Sequence, residues 1–127
     1  MTRTRRLTLL YSAARAGFGV ALLGPASWAA GRWIGGDAKR RAVGVPVRGL
    51  AVRDLALALG AIDAVRREGA VIPWLVAAAA GDVADIAISL VAGDSLPERA
   101  RWGTPVLAGA SAAAGAALVL GERSATR

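Results

Sequence analysis

Residues 71–91 read VIPWLVAAAAGDVADIAISLV, an apolar stretch that opens with Pro73 and Trp74 close to its start. Its charged residues are Asp82 and Asp85, both just past its midpoint. At a rise of about 1.5 Å per residue, a helix of this length spans the roughly 30 Å hydrocarbon layer of a bilayer. The stretch therefore predicts a membrane-spanning helix that carries two acidic groups inside the apolar layer.

Three other apolar runs surround this stretch in the chain, and they are residues 7–23, 47–65 and 105–120. Four spans of about 20 residues leave only short loops and tails in a chain of 127 residues. Each run is apolar around most of its circumference, and lipid forces backbone polar groups to pair within a helix, so strands are not expected. We predict an all-α fold in which residues 1–127 form a single transmembrane domain, a four-helix transmembrane bundle.

The composition also favours a protein embedded in a membrane. Hydrophobic residues make up 55% of the chain and charged residues 20%, and the mean hydropathy is +0.47. Cys and His are absent from the sequence, which excludes disulfides, thiolate chemistry and zinc or haem sites built on those residues. We predict neither a cofactor nor a metal site.

The net charge of +7 comes mainly from basic residues that flank the apolar runs. Arg3, Arg5 and Arg6 precede the first run, and Arg66 and Arg67 follow the second. Flanking bases of this kind bind anionic lipid headgroups, whereas a nucleic-acid site needs them on one face. We predict a multi-pass protein of the bacterial inner (plasma) membrane that does not bind nucleic acid. The two sides of the bundle would carry seven and six Lys or Arg residues, a difference too small to fix orientation.

The first run can also be interpreted as a cleaved export signal. Arg5 and Arg6 resemble a twin-arginine export motif, and residues 27–29, SWA, fit the small-x-small rule for cleavage. Arg15, however, interrupts the run, and three more apolar runs follow it. We therefore predict a retained span.

Residues 25–33, PASWAAGRW, predict a short interfacial helix after the first span. The segment is too short to cross a bilayer, and Pro25 suits the first position of a helix. Trp28 and Trp33 would lie at headgroup depth, which indole rings prefer. An ordinary loop with two tryptophans is the alternative.

Five charged residues lie well inside the predicted spans, and they are Arg15, Arg53, Asp54, Asp82 and Asp85. Each such charge costs about 2.5–3.5 kcal/mol on insertion scales, so these groups are expected to pair or to face a polar cavity. Asp82 and Asp85 are three residues apart and share one helix face. With two arginines against three aspartates, one negative charge is left over as a candidate for a proton or a cation.

Helix depth predicts how these charges pair. The loop between the second and third runs centres near residue 68, so equal helical rise places residue 53 opposite residue 83. We predict that Arg53 lies beside Asp82 or Asp85 and that Arg15 reaches a similar depth from the first helix. Arginine suits this role because its planar fork binds a carboxylate at two points.

A series of short motifs runs along most of the chain: Arg15-x-Gly17, Pro25 with tryptophans behind it, Arg48-Gly49, Arg53-Asp54-Leu55 and Gly81-Asp82-x-x-Asp85. In this order they resemble an uncharacterised family of small bacterial four-span membrane proteins, similar to the DoxX-like group. The resemblance implies a four-helix membrane bundle without an established activity. Small multidrug transporters are another family of this size, but they carry an essential glutamate in the first span, where this sequence has Arg15.

The buried charges allow two functional interpretations. The first is a small binding or accessory subunit that contacts the lipid bilayer and takes a second copy or another membrane protein as a partner. The second is a proton- or cation-coupled small-molecule transporter that uses Asp82 and Asp85. The charges can also be purely structural, because polar contacts hold helices together in lipid.

Two further classes of function fit the sequence less well. No nucleophile or phosphate-binding loop accompanies the carboxylates, so we predict no enzyme and no catalytic residues. A soluble helical interaction domain is the third alternative, because residues 47–65 taken alone fit an amphipathic soluble helix.

Overall fold

The computed structural model describes residues 1–24, 31–33, 35–36 and 41–125. Across these residues the chain forms helices and turns and no strand. The long helices are α1 (Arg3–Leu23), α2 (Arg41–Arg66), α3 (Ile72–Ala92) and α4 (Glu98–Ala125), with a 3₁₀ turn at Gly93–Ser95. The predicted all-α fold is confirmed for this part of the chain.

Two helices begin six or seven residues before the apolar runs that predicted them, and each contains a proline at or next to the start of its run. The apolar runs placed these starts at residues 47 and 105, whereas α2 begins at Arg41 and α4 at Glu98. Pro46 and Pro105 lie inside these helices. A proline removes one backbone hydrogen bond, and in both places the helix continues on either side of it. The helices are therefore longer than the apolar runs.

Two helical segments are long and apolar enough to cross a membrane by length and composition, and they are Ile72–Ser95 and Glu98–Ala125. Among the described residues α1 and α2 do not meet this test. Their sequences explain the difference, because α1 contains Arg15 and three arginines in its first turn, and α2 contains Arg53 and Asp54 near its centre.

The helices alternate in direction and form two pairs. α1 packs along α2, α3 packs along α4, and the two pairs contact each other less extensively. At one end of the bundle the Arg5 guanidinium donates to the Gly69 carbonyl oxygen at 3.2 Å, and Thr4 lies against Gly121. At the other end Trp33 Nε1 donates to Thr104 Oγ1 at 3.1 Å.

A glycine allows the close contact between α1 and α2. A Cβ atom on Gly19 would lie 2.9 Å from the Ala51 carbonyl oxygen and 2.9 Å from Leu55 Cγ. Backbone atoms cannot move aside as a flexible side chain can, so any larger residue would push the two helices apart. The spacing of this pair therefore depends on Gly19.

The apolar core lies at the end of the bundle that holds the loop between α2 and α3. Its buried members come from α2, α3, α4 and that loop: Ala64, Val65, Val71, Leu75, Leu118 and Val119. Leu9 and Tyr11 of α1 pack against this core. That half of the bundle is therefore held together mainly by apolar contacts.

The predicted interfacial helix falls mostly outside the described residues. Residues 25–30, which include Trp28, are not part of the description, and residues 31–33 are helical. Trp33 is partly buried and hydrogen-bonds to Thr104 near the start of α4. The depth of this segment in a membrane stays a prediction.

Candidate functional site

Arg15 of α1 and Asp82 of α3 form a two-point ion pair near the middle of the bundle. Arg15 Nη2 lies 2.6 Å from Asp82 Oδ1, and Arg15 Nη1 lies 3.0 Å from Asp82 Oδ2. Each side chain is only 6% exposed. Because a planar guanidinium matches the two oxygens of a carboxylate, this contact fixes α1 against α3.

Arg53 of α2 and Asp85 of α3 form a second two-point pair. The Nη1–Oδ1 and Nη2–Oδ2 distances are 3.0 Å and 2.7 Å. This pair is more open, with Arg53 32% and Asp85 22% exposed. The Arg53 guanidinium lies over Gly81. A Cβ atom added to Gly81 would be 3.2 Å from Arg53 Cζ. Helix depth predicts that Arg53 lies beside Asp82 or Asp85. In the structure its partner is Asp85.

Asp54 of α2 joins the two pairs into one group, which we call the charge cluster: Arg15, Arg53, Asp54, Asp82 and Asp85. Asp54 Oδ1 accepts from Arg15 Nη2 at 3.1 Å, from Arg53 Nη2 at 3.3 Å and from Arg53 Nε at 3.4 Å. Its side chain is 5% exposed. The structure therefore brings together all five charged residues that the sequence analysis singled out.

Two hydroxyl groups that the sequence analysis missed complete the environment of Arg15. Arg15 Nη1 lies 3.0 Å from the Tyr11 hydroxyl and 3.0 Å from Ser111 Oγ, and these two hydroxyls are 3.1 Å apart. Tyr11 precedes Arg15 by four residues on α1, a spacing that places both side chains on one helix face. Ser111 is the single hydroxyl in a run of alanine and glycine on α4, which was its only sequence signal.

The charge cluster carries a formal excess of one negative charge, because two guanidinium groups face three carboxylates. Both oxygens of Asp82 and both oxygens of Asp85 accept from an arginine. Asp54 differs, because only Oδ1 accepts a hydrogen bond from the described residues. Asp54 Oδ2 is therefore the carboxylate oxygen of the cluster that accepts no hydrogen bond from the described part of the chain.

A cavity of about 490 Å³ reaches this cluster from the end of the bundle that carries Trp33 and Thr104. Most of its wall comes from α1 and α4, where lining residues recur at helical spacing. The lining residues are Tyr11, Ala14, Arg15, Phe18, Ala21 and Leu22 of α1, Val47, Leu50 and Asp54 of α2, Asp82 and Asp85 of α3, and Thr104, Leu107, Ala108, Ser111 and Ala114 of α4. Trp33, which lies before α2, completes the wall.

The wall of the cavity is mostly apolar, and its polar groups are concentrated at the charge cluster. The chain has one tyrosine, one phenylalanine and four tryptophans. Tyr11, Phe18 and Trp33 all line the cavity, so half of the aromatic residues of the chain are collected there. An apolar, aromatic-rich cavity with a few converging polar groups, and a volume between about 300 and 1,000 Å³, is typical of small-molecule sites.

Ser111 Oγ contacts Arg15 and Tyr11, so neither of its partners here is a carboxylate base that would activate it. Within the described ranges, no group of three His, Cys, Asp or Glu side chains is placed to hold a metal ion. The site offers a buried negative charge at the base of an apolar cavity.

Comparison with known proteins adds no relative: no protein-family model, no curated protein and no solved structure matches this chain. The resemblance to small four-span bacterial membrane proteins therefore stays a prediction.

Proposed function

We propose that the chain is a small integral membrane protein of the bacterial inner membrane, with four spanning helices, that acts as a binding or accessory subunit. Its ligand would be a small molecule with an apolar body. The observation that carries this proposal is the cavity of about 490 Å³, whose apolar wall ends at the charge cluster. A purely structural cluster would need no such space beside it.

The exposure of apolar side chains supports a membrane location. Only 22% of the apolar window of Ile72–Ser95 and 17% of that of Glu98–Ala125 is buried. The core helix of a water-soluble protein buries most of such a surface, whereas a lipid-facing helix leaves it exposed. The two segments therefore suit lipid better than water.

The placement of the charges also supports the proposal that α1 and α2 cross the membrane. Arg15 and Asp54 lower the mean hydropathy of these helices, yet both side chains are buried against oppositely charged partners. The outward side of α1 instead presents Leu7, Leu10 and Val20, which are exposed. Charges that face the bundle interior and pair there are compatible with a spanning helix.

A second candidate function is the proton- or cation-coupled transport of a small molecule. The cavity reaches Asp82 and Asp85 from one end of the bundle, and the apolar core lies at the opposite end. In an alternating-access transporter, each state opens the substrate site near the membrane midplane to one side only. A cavity that reaches Asp82 and Asp85 from one end fits one such state. Uptake into proteoliposomes that Asp82→Asn abolishes, without loss of folded protein, would favour this candidate.

The binding function is tested by native mass spectrometry of protein extracted from its membrane. We expect wild type to carry a small bound mass. Ala114→Leu adds volume at the cavity wall and should remove that mass. Ala116→Leu makes the same change at an exposed alanine of α4 that does not line the cavity, and it should retain the mass. Wild type without a bound mass, or a mass that survives Ala114→Leu, would contradict the proposal.

A further inference from the structure

We propose that the ligand class of this cavity is a lipophilic ammonium ion, that is, a protonated amine with an apolar body. The inference rests on the proposed binding function and adds the charge and the orientation of the ligand. Its ammonium group would donate to Asp54 Oδ2, and its apolar body would lie between α1 and α4.

The charges on the cavity wall select a cation. Three carboxylates line the cavity, from Asp54, Asp82 and Asp85, against one guanidinium, from Arg15. Arg53, the second cation of the cluster, is not part of this wall. A monovalent cation therefore enters a region of excess negative charge and brings the cluster to neutrality.

The Arg15 N–H groups that an anion could reach already have partners among the described residues. Its Nη1 contacts Asp82, Tyr11 and Ser111, and its Nη2 contacts Asp54 and Asp82. The Nε atom is enclosed by the protein and has no hydrogen-bond partner among the described residues. An anion would have to displace one of these carboxylates to reach the guanidinium.

Asp54 gives the cation a specific acceptor. Its side chain is 5% exposed, and Oδ1 already accepts from Arg15 and Arg53. Oδ2 accepts from none of the residues that the structure describes, and Asp54 lines the cavity. An N–H group of a ligand in the cavity would give this oxygen a charge-assisted hydrogen bond.

The aromatic residues suit the same ligand class. Tyr11, Phe18 and Trp33 line the cavity. The face of an aromatic ring attracts an alkylammonium group, and the effect is stronger away from water. Phe18 and Leu107 are lining residues that are also exposed on α1 and α4. An apolar molecule could therefore enter between these helices from the lipid side.

The test measures equilibrium binding of three radiolabelled probes at neutral pH to the full chain in phosphatidylcholine nanodiscs. Octylammonium is the cationic probe, and octan-1-ol and octanoate are the neutral and anionic probes of similar length. We expect saturable binding of octylammonium, with octan-1-ol and octanoate weaker by at least about tenfold, because each lacks the charge-assisted hydrogen bond to Asp54. Ala114→Leu should abolish octylammonium binding, and Ala116→Leu should leave it unchanged.

Asp54→Asn keeps the size of the side chain and removes its charge, so it should reduce octylammonium binding to the level of octan-1-ol. If this variant does not fold, the preference of wild type for octylammonium decides the question alone. Equal or tighter binding of octan-1-ol or octanoate, lost in Ala114→Leu, overturns the ammonium inference and leaves the binding function standing. If none of the three probes distinguishes wild type from Ala114→Leu and no bound mass is found, both proposals fail.

Discussion

Arg15 and Asp82 connect α1 to α3 through two hydrogen bonds of 2.6 Å and 3.0 Å, at a depth where both side chains are almost fully buried. Asp54 contacts the same guanidinium from α2, and Ser111 contacts it from α4. One arginine therefore touches all four helices, its own included. Arg15 thus links the two helix pairs to each other.

We expect Arg15→Met to lower the free energy of unfolding by about 3–5 kcal/mol, because it leaves Asp54 and Asp82 buried without their main partner. Thermal unfolding in detergent, followed by circular dichroism, measures the loss. The double variant Arg15→Met with Asp82→Asn should recover part of it, because one uncompensated charge is removed. Arg6→Met, at an exposed position of the same helix, is the control. A melting temperature for Arg15→Met equal to that of the control would contradict the expectation.

Arg53→Ala should destabilise the protein less than Arg15→Met, by about 1–3 kcal/mol, because the charge left behind on Asp85 is only partly buried and lines the cavity, where water screens it. Asp85→Asn added to Arg53→Ala should restore part of the folded yield in detergent. The comparison uses size-exclusion profiles and melting temperatures of both single variants and the double variant. Additive losses in the double variant would mean that the pair makes no net contribution.

That Arg53 pairs with an aspartate of α3 could be predicted from the sequence, because it depends mainly on helix depth. Equal rise from the loop after α2 brings residue 53 to the level of Asp85 within about half a turn. Tyr11 and Ser111 could not be predicted in the same way. Their contact with Arg15 depends on how α1 and α4 are rotated about their axes, and these helices are far apart in the chain. The cavity depends on the same rotations.

The boundaries of the helices were predictable only where hydrophobicity changes at a helix end. α1 ends at Leu23, where the apolar run also ends, and Gly24 donates its N–H to the Val20 carbonyl oxygen there. α4 starts seven residues before its apolar run, because Glu98 and the arginines behind it form helix without being apolar. Hydrophobic pattern locates the part of a helix that meets lipid or core, and propensity decides how far the helix continues.

Gly19→Ala should lower the free energy of unfolding by about 1–3 kcal/mol, because its Cβ atom would meet the Ala51 carbonyl oxygen and Leu55 Cγ. Gly17→Ala is a matched control in the same helix, since a Cβ atom there would have nothing within 4 Å. That variant should be neutral or more stable by up to about 1 kcal/mol, because alanine favours a helix over glycine. Thermal unfolding of the two variants, measured in parallel, tests this prediction. Equal melting temperatures would show that α1 and α2 are not held at this spacing.

The number of spans can be determined by single cysteines, because the sequence contains no Cys and each variant reports one position. Thr2, Gly36, Gly69 and Ser95 are all exposed at the ends of the helices. A membrane-impermeant maleimide is added to oriented membrane vesicles, with and without prior permeabilisation. If all four helices cross, cysteines at Thr2 and Gly69 should react from one side, and cysteines at Gly36 and Ser95 from the other.

Gly36→Cys decides between four spans and two. If only α3 and α4 crossed, α1 and α2 would stay on the side of the loop that joins them to α3, and Gly36→Cys would react together with Gly69→Cys. We expect it to react with Ser95→Cys instead, because Trp33, three residues before it, is bonded to Thr104 near the start of α4. A Cβ atom at Gly36 would meet nothing within 4 Å, so the substitution itself should not disturb the fold. Labelling of Gly36→Cys from the Gly69 side would reject the four-span bundle.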